Sequence, residues 1–221
     1  VYLGDVQLAR QHLESAVAAD GSFAPARLQL ADVLIKDGRP ADAEEQLKAT
    51  LAAHPRSAEA AAMLARLLSG RGAFDEAESV LKQALGDSQH VRLRLALARL
   101  EFKRGRLPDA ERYVTEAEQI APDDPDVALS RGVLALAQGR PQQAATLLAK
   151  VRAAYPTRPD VALSLAQAQT ADGQLAAARE TLQQALQAIP SYWPLRAALG
   201  SIELRLGKAD AALAIAKTLQ A

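Results

Sequence analysis

The stretch GRPADAEEQL, residues 38–47, has the composition of a turn followed by a helix. Gly38 can adopt a turn conformation that a side chain would resist. Pro40 suits the first turn of a helix, where its missing N–H leaves no hydrogen bond unmade. The same kind of stretch returns as GRLPDAERYV at 105–114 and as GRPQQAATLL at 139–148. The chain therefore repeats one structural unit.

The repeat has a period of 34 residues, because Gly4, Gly38 and Gly72 follow one another at that spacing, and one later interval is 33. The glycines in register are Gly4, Gly38, Gly72, Gly105, Gly139, Gly173 and Gly207. The alanines five residues after them are Ala9, Ala43, Ala77, Ala110, Ala144, Ala178 and Ala212. The prolines that close units are Pro55, Pro122, Pro156 and Pro190. A fixed period of this length is the signature of a repeat array.

Each unit reads as a helical hairpin. Ahead of a glycine lies a segment with apolar residues at helical spacing, such as Leu93, Leu97 and Leu100. A second helix begins two or three residues after the glycine, and its alanines allow close approach of a neighbouring helix. One hairpin cannot bury its apolar face alone, so hairpins must stack. The sequence predicts about thirteen helices, a leading one at roughly 5–20 and then six hairpins, without substantial strand.

Composition excludes several functions. In 221 residues, 26 basic and 26 acidic side chains cancel, so no overall field attracts nucleic acid or an anionic membrane. The chain has no Cys, and no apolar run approaches the roughly 20 residues that span a bilayer. His12, His54 and His90 fall in different units, and no phosphate-binding loop, nucleophile elbow or zinc-protease motif occurs. We expect no catalysis, no cofactor, no metal and no membrane insertion.

With small residues in register inside the first helices, this pattern closely resembles the tetratricopeptide (TPR) repeat over essentially the whole chain. Those residues are Ala31, Ala65, Ala98, Gly132, Ala166 and Gly200. An aromatic residue common early in the first helix of the family is replaced by Ala, Leu or Arg. The resemblance implies an all-α fold, a right-handed superhelical α-solenoid of stacked helical hairpins. Its units are 24–57, 58–90 (one residue short), 91–124, 125–158, 159–192 and 193–221, preceded by the end of an earlier repeat at 1–23.

The resemblance also implies that the first helices line a concave groove, and that the groove binds a protein or peptide segment. The positions carried over are Leu28, Asp32, Ile35, Lys36, Arg66, Arg92, Leu95, Arg99, Phe102, Lys103, Leu129, Val133, Leu136, Leu163, Gln167, Leu204 and Arg205, with Ala62, Ala197 and Ser201 beside them. They are basic near the middle of the chain and apolar beyond it. In the competing interpretation, half of them are solvated charges or packing between repeats.

The chain contains no Asn. Known TPR domains that clamp a terminal carboxylate, or hold a peptide backbone on a side-chain ladder, use Asn for it. Recognition here must therefore depend on Arg and Lys charge, on Gln and on apolar contact. The expected function is that of a non-catalytic protein-interaction scaffold with a protein or peptide partner of unspecified identity.

Two further interpretations stay open. Helical-hairpin repeats also read single-stranded RNA, and a basic cluster fits that alternative: Arg92, Arg94, Arg99, Lys103, Arg104 and Arg106. The 34-residue period and the zero net charge speak against it. The Ala-, Leu-, Gln- and Arg-rich repeats, with AIAKTLQA at 214–221, are similar to bacterial envelope TPR proteins of exopolysaccharide export or exosortase-linked sorting. That similarity favours the periplasm or envelope over the cytoplasm.

Two places depart from the regular pattern. The unit at 58–90 carries Gly86-Asp87-Ser88 where others continue a helix, so its second helix should end near Leu85 with Gly86 in the left-handed capping conformation. The chain also begins on Val1-Tyr2-Leu3 and ends on the apolar residues Leu213, Ile215 and Leu219. Because an array needs polar outer helices, we expect a piece of a longer repeat protein whose ends can contact another copy.

Overall fold

The computed structural model describes residues 3–220, and within them the side chains of residues 6–218. Every regular element in that range is an α-helix, and there are thirteen, which confirms the all-α prediction and the helix number. They are α1 Leu3–Ala19, α2 Ala24–Lys36, α3 Pro40–Ala53, α4 Ala58–Gly70, α5 Phe74–Leu85, α6 Val91–Lys103, α7 Leu107–Ile120, α8 Pro125–Ala137, α9 Pro141–Ala154, α10 Pro159–Ala171, α11 Leu175–Ala188, α12 Trp193–Arg205 and α13 Ala209–Gln220. Because α1 begins at Leu3, Gly4 lies inside the helix and not in a turn before it.

The repeated glycines end the first helix of each hairpin in one way. From Gly38 to Gly207, the six glycines between paired helices have φ between 72° and 84°. The residue after each glycine donates its N–H to a carbonyl five residues earlier, as Arg39 does to Leu34 at 2.9 Å. This is the Schellman closure, which satisfies the last helical carbonyls and requires a residue that tolerates positive φ. The six-fold recurrence of Gly therefore has a backbone cause.

The chain divides into two compact units, residues 1–120 with α1–α7 and residues 121–221 with α8–α13. In both, the core is made mainly of Leu and Ala side chains from the first and the second helices of the hairpins. The leucines nine residues after a turn glycine are fully buried: Leu47, Leu81, Leu148 and Leu182. The alanines five residues after a turn glycine are also buried: Ala43, Ala77, Ala110, Ala144 and Ala178. The repeat positions chosen from the sequence are thus core positions.

In the first unit, an ion pair recurs between successive hairpins. The sixth residue after one repeat glycine pairs with the residue just before the next glycine. Arg10 Nη1 lies 2.5 Å from Asp37 Oδ2, Arg71 Nη1 lies 2.7 Å from Glu44 Oε2, and Arg104 Nη1 lies 2.5 Å from Glu78 Oε2. The ion pair always joins the same two repeat positions, but the base and the acid exchange positions after the first pair. Arg10 is the sixth residue after a glycine, whereas Arg71 and Arg104 directly precede one.

The joint after α5 is irregular, as predicted. The helix ends at Leu85, and the Ser88 N–H and hydroxyl both donate to the Leu85 carbonyl, at 2.9 and 2.6 Å. Gly86 has φ 48° and ψ −133°. The expected left-handed helical cap is therefore wrong in its ψ angle, since these angles belong to the first central position of a type II′ turn. At joints of full-length units the residue after the helix has a negative φ instead, −132° at His54 and −129° at Tyr155.

The last helix shows part of the predicted apolar surface. Leu213 is 56% exposed, whereas Ile215 packs against the core formed by α10, α11 and α12. The side chain of Leu219 and the stretch Val1-Tyr2 lie outside the described residues. No helix in the described part of the chain has the length and apolar character to cross a membrane.

Candidate interaction surface

A shallow cavity opens in the first unit between α4 and α6, the first helices of successive hairpins. Its volume is about 50 Å³. Small side chains, Ala62, Ala65 and Ala96, form its base together with Leu100. The polar side chains around it are Arg66, Ser69, Arg99 and Lys103. We call this the cationic cavity.

No described carboxylate neutralises the charges around the cationic cavity. Arg66 and Arg99 are exposed and form no ion pair with any described residue. Lys103 Nζ makes one contact, donating to Ser69 Oγ at 3.4 Å. By contrast, Lys36 at the same helix position as Lys103 is neutralised by Asp32, with Nζ and Oδ2 2.5 Å apart. Three cations therefore surround a base of small apolar side chains, an arrangement that attracts carboxylates.

A larger cavity lies in the second unit between α10 and α12. Its volume is about 470 Å³, and Leu182 of α11 reaches it from below. Its apolar lining is Leu163, Ala166, Ala171, Leu182, Ala198 and Ile202. Its polar lining is Gln167, Thr170, Ser201 and Arg205. We call this the apolar cavity.

The two cavities occupy equivalent repeat positions. Counted from the start of each first helix, the ninth residues are Arg66 and Arg99 at the cationic cavity. At the apolar cavity the ninth residues are Gln167 and Ser201. In the second helix of each pair the thirteenth residue is a cation, Lys103 of α6 at the cationic cavity and Arg205 of α12 at the apolar cavity. Three cations without an ionic partner among the described residues thus line the cationic cavity, whereas Arg205 is the one such cation that lines the apolar cavity.

The structure gathers only some of the predicted groove residues. Those that line a cavity are Arg66, Arg99, Lys103, Leu163, Gln167 and Arg205. Those that line neither cavity are Leu28, Asp32, Ile35, Lys36, Arg92, Leu95, Phe102, Leu129, Val133, Leu136 and Leu204. Among these, Phe102 and Leu204 expose 38% and 61% of their surface, so they remain available for contact. Leu95 is the exception, because it is only 6% exposed and belongs to the core.

Sequence reasoning missed several lining residues. Ser69 and Thr170 occupy the twelfth position of their helices, the position for which Phe102 and Leu204 were chosen. Ala96 and Ala198 share the sixth position. The repeat register could have identified all four, but they are small or neutral and so gave no chemical signal. Their small size is what leaves the cavities open.

A third cavity, between α3 and α4, is neutralised at its centre. Glu44 receives an ion pair from Lys48 at 2.6 Å and another from Arg71 at 2.7 Å. Glu44, Lys48 and Arg71 are therefore already engaged within the protein. Among residues 3–220, no group of three or more His, Cys, Asp or Glu side chains is placed to hold a metal ion.

These features define a class, a helical-hairpin repeat protein with cavities between its successive first helices. The sequence model of the tetratricopeptide repeat matches residues 2–67, 68–132 and 135–188. The chain belongs to the TPR repeat family. Its fold is that of a protein-interaction scaffold, and members of this family are generally non-catalytic.

Solved structures agree on the fold. A TPR protein from Parabacteroides merdae superposes with a TM-score of 0.75 at 15% identity, over 98% of this chain and 86% of that one. A thermophilic TPR protein of Thermus thermophilus gives 0.69 at 24% identity, over 82% and 99%. PilF of Pseudomonas aeruginosa gives 0.63 at 22% identity, over 89% and 90%. No curated protein matches the sequence significantly.

Proposed function

We propose that the chain is a non-catalytic scaffold whose first unit binds an acidic peptide segment at the cationic cavity. The supporting observation is that Arg66, Arg99 and Lys103 surround the cavity without a carboxylate partner among the described residues. An exposed guanidinium that makes no internal pair keeps its full capacity for bidentate pairing with a carboxylate. The cavity is shallow, so we expect it to admit carboxylates at its rim and not a bulky side chain.

The test uses a fluorescein-labelled peptide with four consecutive Glu residues flanked by Gly and Ser. Arg99→Gln should weaken its binding by about tenfold, the loss of one charge-assisted contact. Arg92→Gln is the matched control, since Arg92 is exposed on the same helix but lines neither cavity. An equal loss in both variants would show that general charge, and not this site, holds the peptide, and the proposal would be wrong.

RNA binding is the alternative that these cations also allow. A single-stranded RNA of mixed sequence, titrated by filter binding over a range of salt concentrations, separates the two. RNA that bound as tightly as the acidic peptide, with affinity falling steeply as salt rises, would overturn the peptide proposal. We expect weak RNA binding because half of the basic cluster is already paired within the protein. Its paired members are Arg94 to Glu116, Arg104 to Glu78, and Arg106 to Glu101.

We further propose that the scaffold serves a bacterial envelope assembly, of the exopolysaccharide export or exosortase-linked kind. The support is the Ala-, Leu-, Gln- and Arg-rich character of the repeats. Fractionation of the cells that produce the protein tests this proposal, with recovery in the periplasm or with membranes expected. Recovery in the cytosol alone would contradict it. Self-contact through the ends of the chain also stays a prediction, tested by sedimentation over a range of concentrations.

A further inference from the structure

The apolar cavity differs from the cationic cavity in volume as well as in charge. Its volume of about 470 Å³ lies in the range of pockets that hold a ligand group, whereas the cationic cavity holds about 50 Å³. The lining also differs at the fifth helix position, where Leu163 stands in place of Ala62. Leu163, Leu182 and Ile202 give the apolar cavity walls of branched apolar side chains.

The polar groups at the apolar cavity limit what can fill it. Ser201 and Thr170 use their hydroxyls on backbone carbonyls of their own helices, at 3.2 and 2.6 Å. The Gln167 side chain is exposed and makes no interaction with the described residues. Arg205 is exposed and has no carboxylate partner among them. One cation and one amide therefore remain free beside an apolar space.

We propose that the apolar cavity is a second binding site, for a peptide segment that places one Leu- or Phe-sized side chain in the cavity and a carboxylate against Arg205. Apolar burial provides the anchor, and the single charge complements one acidic group but not a run of them. The partner chemistry thus differs from that of the first unit, where three cations favour several carboxylates. Each site stands on its own observation, so the failure of one leaves the other intact.

The specificity should depend on the ninth position of the first helices. Arg66 and Arg99 become Gln167 and Ser201 in the second unit, while the cation at the thirteenth position is kept. A pair of repeats with Arg at this position should select acidic runs. A pair with short or neutral residues there, and an open apolar space below, should select a mixed apolar and acidic segment.

The experiment uses the full chain and two labelled probes of equal length. Probe one has the core Leu-Asp flanked by Gly and Ser, and probe two replaces that Leu with Gly. Binding is measured by fluorescence anisotropy and by NMR shifts of methyl groups that line the cavity. We expect probe one to bind at least about tenfold more tightly than probe two. Equal binding would overturn the proposal, because no apolar anchor would then exist.

Three variants locate the binding. Ala198→Leu fills the cavity and should weaken probe one by about tenfold, whereas Ala96→Leu, the same helix position at the cationic cavity, should leave it unchanged. Arg205→Gln should weaken the binding of probe one. It should also abolish the preference of the protein for probe one over a third probe, which has Asn in place of the Asp. Arg205 is exposed, so this variant decides the question if Ala198→Leu fails to fold. Unchanged binding in Arg205→Gln, or equal losses in the two Leu variants, would overturn the site.

A gain-of-function variant completes the test. Gln167→Arg with Ser201→Arg gives the second unit the ninth-position residues of the first. It should create new binding of the four-Glu peptide, seen as shifts of the Leu163 and Ile202 methyl groups. The starting protein should show no such shifts with that peptide. Failure to gain them would refute the ninth position as the determinant of specificity.

Discussion

At the residue scale, the eighth position of each first helix decides how closely a second helix can approach. Four repeats carry Ala there, but Gly132 and Gly200 occupy it in the second unit. A Cβ at Gly132 would lie 2.6 Å from Leu148 Cγ, whereas a Cβ at Gly200 would lie 3.5 Å from Ile215 Cγ2, an ordinary contact. Close packing therefore requires glycine at position 132, whereas position 200 has room for a Cβ.

Gly132→Ala and Gly200→Ala should consequently have opposite effects. The first forces Leu148, which is fully buried, to shift, and it should destabilise the fold by roughly 1–2 kcal/mol. The second gains helix propensity without a clash and should stabilise by up to about 1 kcal/mol. Urea denaturation followed by circular dichroism measures both. Equal shifts of the midpoint would contradict the packing at Gly132.

The fifth residue after each turn glycine is a second place where only a small side chain fits. Ala110 and Ala144 are buried to within 1% of full burial. Ala110→Leu and Ala144→Leu should each cost roughly 1–3 kcal/mol through overpacking. Ala149→Leu, on the exposed side of the same helix as Ala144, is the control and should be nearly neutral. Unchanged stability in both core variants would show that the repeat register is wrong.

At the element scale, the joint between α5 and α6 depends on a buried ionic network. Arg104, with 6% of its side chain exposed, lies 2.5 Å from Glu78, 2.6 Å from Asp75 and 3.2 Å from Glu101. Glu101 is itself only 3% exposed, and its Oε2 makes no hydrogen bond. Arg104 is therefore the main charge partner of Glu101, and the exposed Arg106 is a more distant second one, with Nη1 3.6 Å from Glu101 Oε2.

Arg104→Ala should therefore destabilise far more than its repeat equivalent, Arg71→Ala. Removing Arg104 leaves Glu101 buried without its main partner, at a cost of roughly 3–5 kcal/mol. Arg71 is 50% exposed, and Glu44 would keep Lys48 as a partner at 2.6 Å, so the loss of Arg71 should cost about 0–1 kcal/mol. Thermal and urea unfolding of both variants measures the difference. Similar losses would mean that burial does not distinguish the two pairs.

The helices were predictable because their signals are local. Gly38 and Pro40 mark a turn by backbone geometry alone, and the same pair of signals recurs along the chain. The burial of Leu95 was not predictable, because the register of one helix does not show how near the next one lies. In the structure α6 contacts α4 as well as α5 and α7, so a fifth-position side chain has neighbours on more than one side.

The charged part of the site depends on pairing that composition cannot show. Lys103 and Arg104 are adjacent in sequence and equal in charge, yet one is exposed with a single weak contact and the other is buried among carboxylates. Only the positions of Glu78 and Glu101 on neighbouring turns and helices separate them. The basic cluster of the sequence is thus two populations, one that stabilises hairpin contacts and one that remains free to bind a partner.

At the scale of the whole molecule, both units contain carboxylates whose ionised form is stabilised by the fold. Hydrogen bonds from Lys82 and then Arg104 lower the pKa of Glu78 below its usual 4.5. A hydrogen bond from Arg158 lowers the pKa of Asp160 below its usual 3.8. Arg158 also pairs with Asp126, at 2.6 Å, which connects the start of α10 to the start of α8. Protonation in acid should therefore reduce the stability of both units.

The sign of that response follows from linkage. Above the ordinary carboxyl pKa values, Glu78 and Asp160 are ionised in both the folded and the unfolded chain, and their stabilisation is complete. As pH falls below 4.5, the unfolded chain takes up protons first, so the free energy of unfolding decreases until the folded carboxylates are protonated too. Urea titrations from about pH 7 to about pH 3 should show a plateau and then a decline. The double variant Glu78→Gln with Asp160→Asn should lower the plateau and flatten the decline. Asp109→Asn is the control, because the Asp109 carboxylate lies 3.6 Å from Arg112, and it should change the plateau and the decline much less. A double variant as steep in acid as the parent protein would show that other carboxylates control its acid stability.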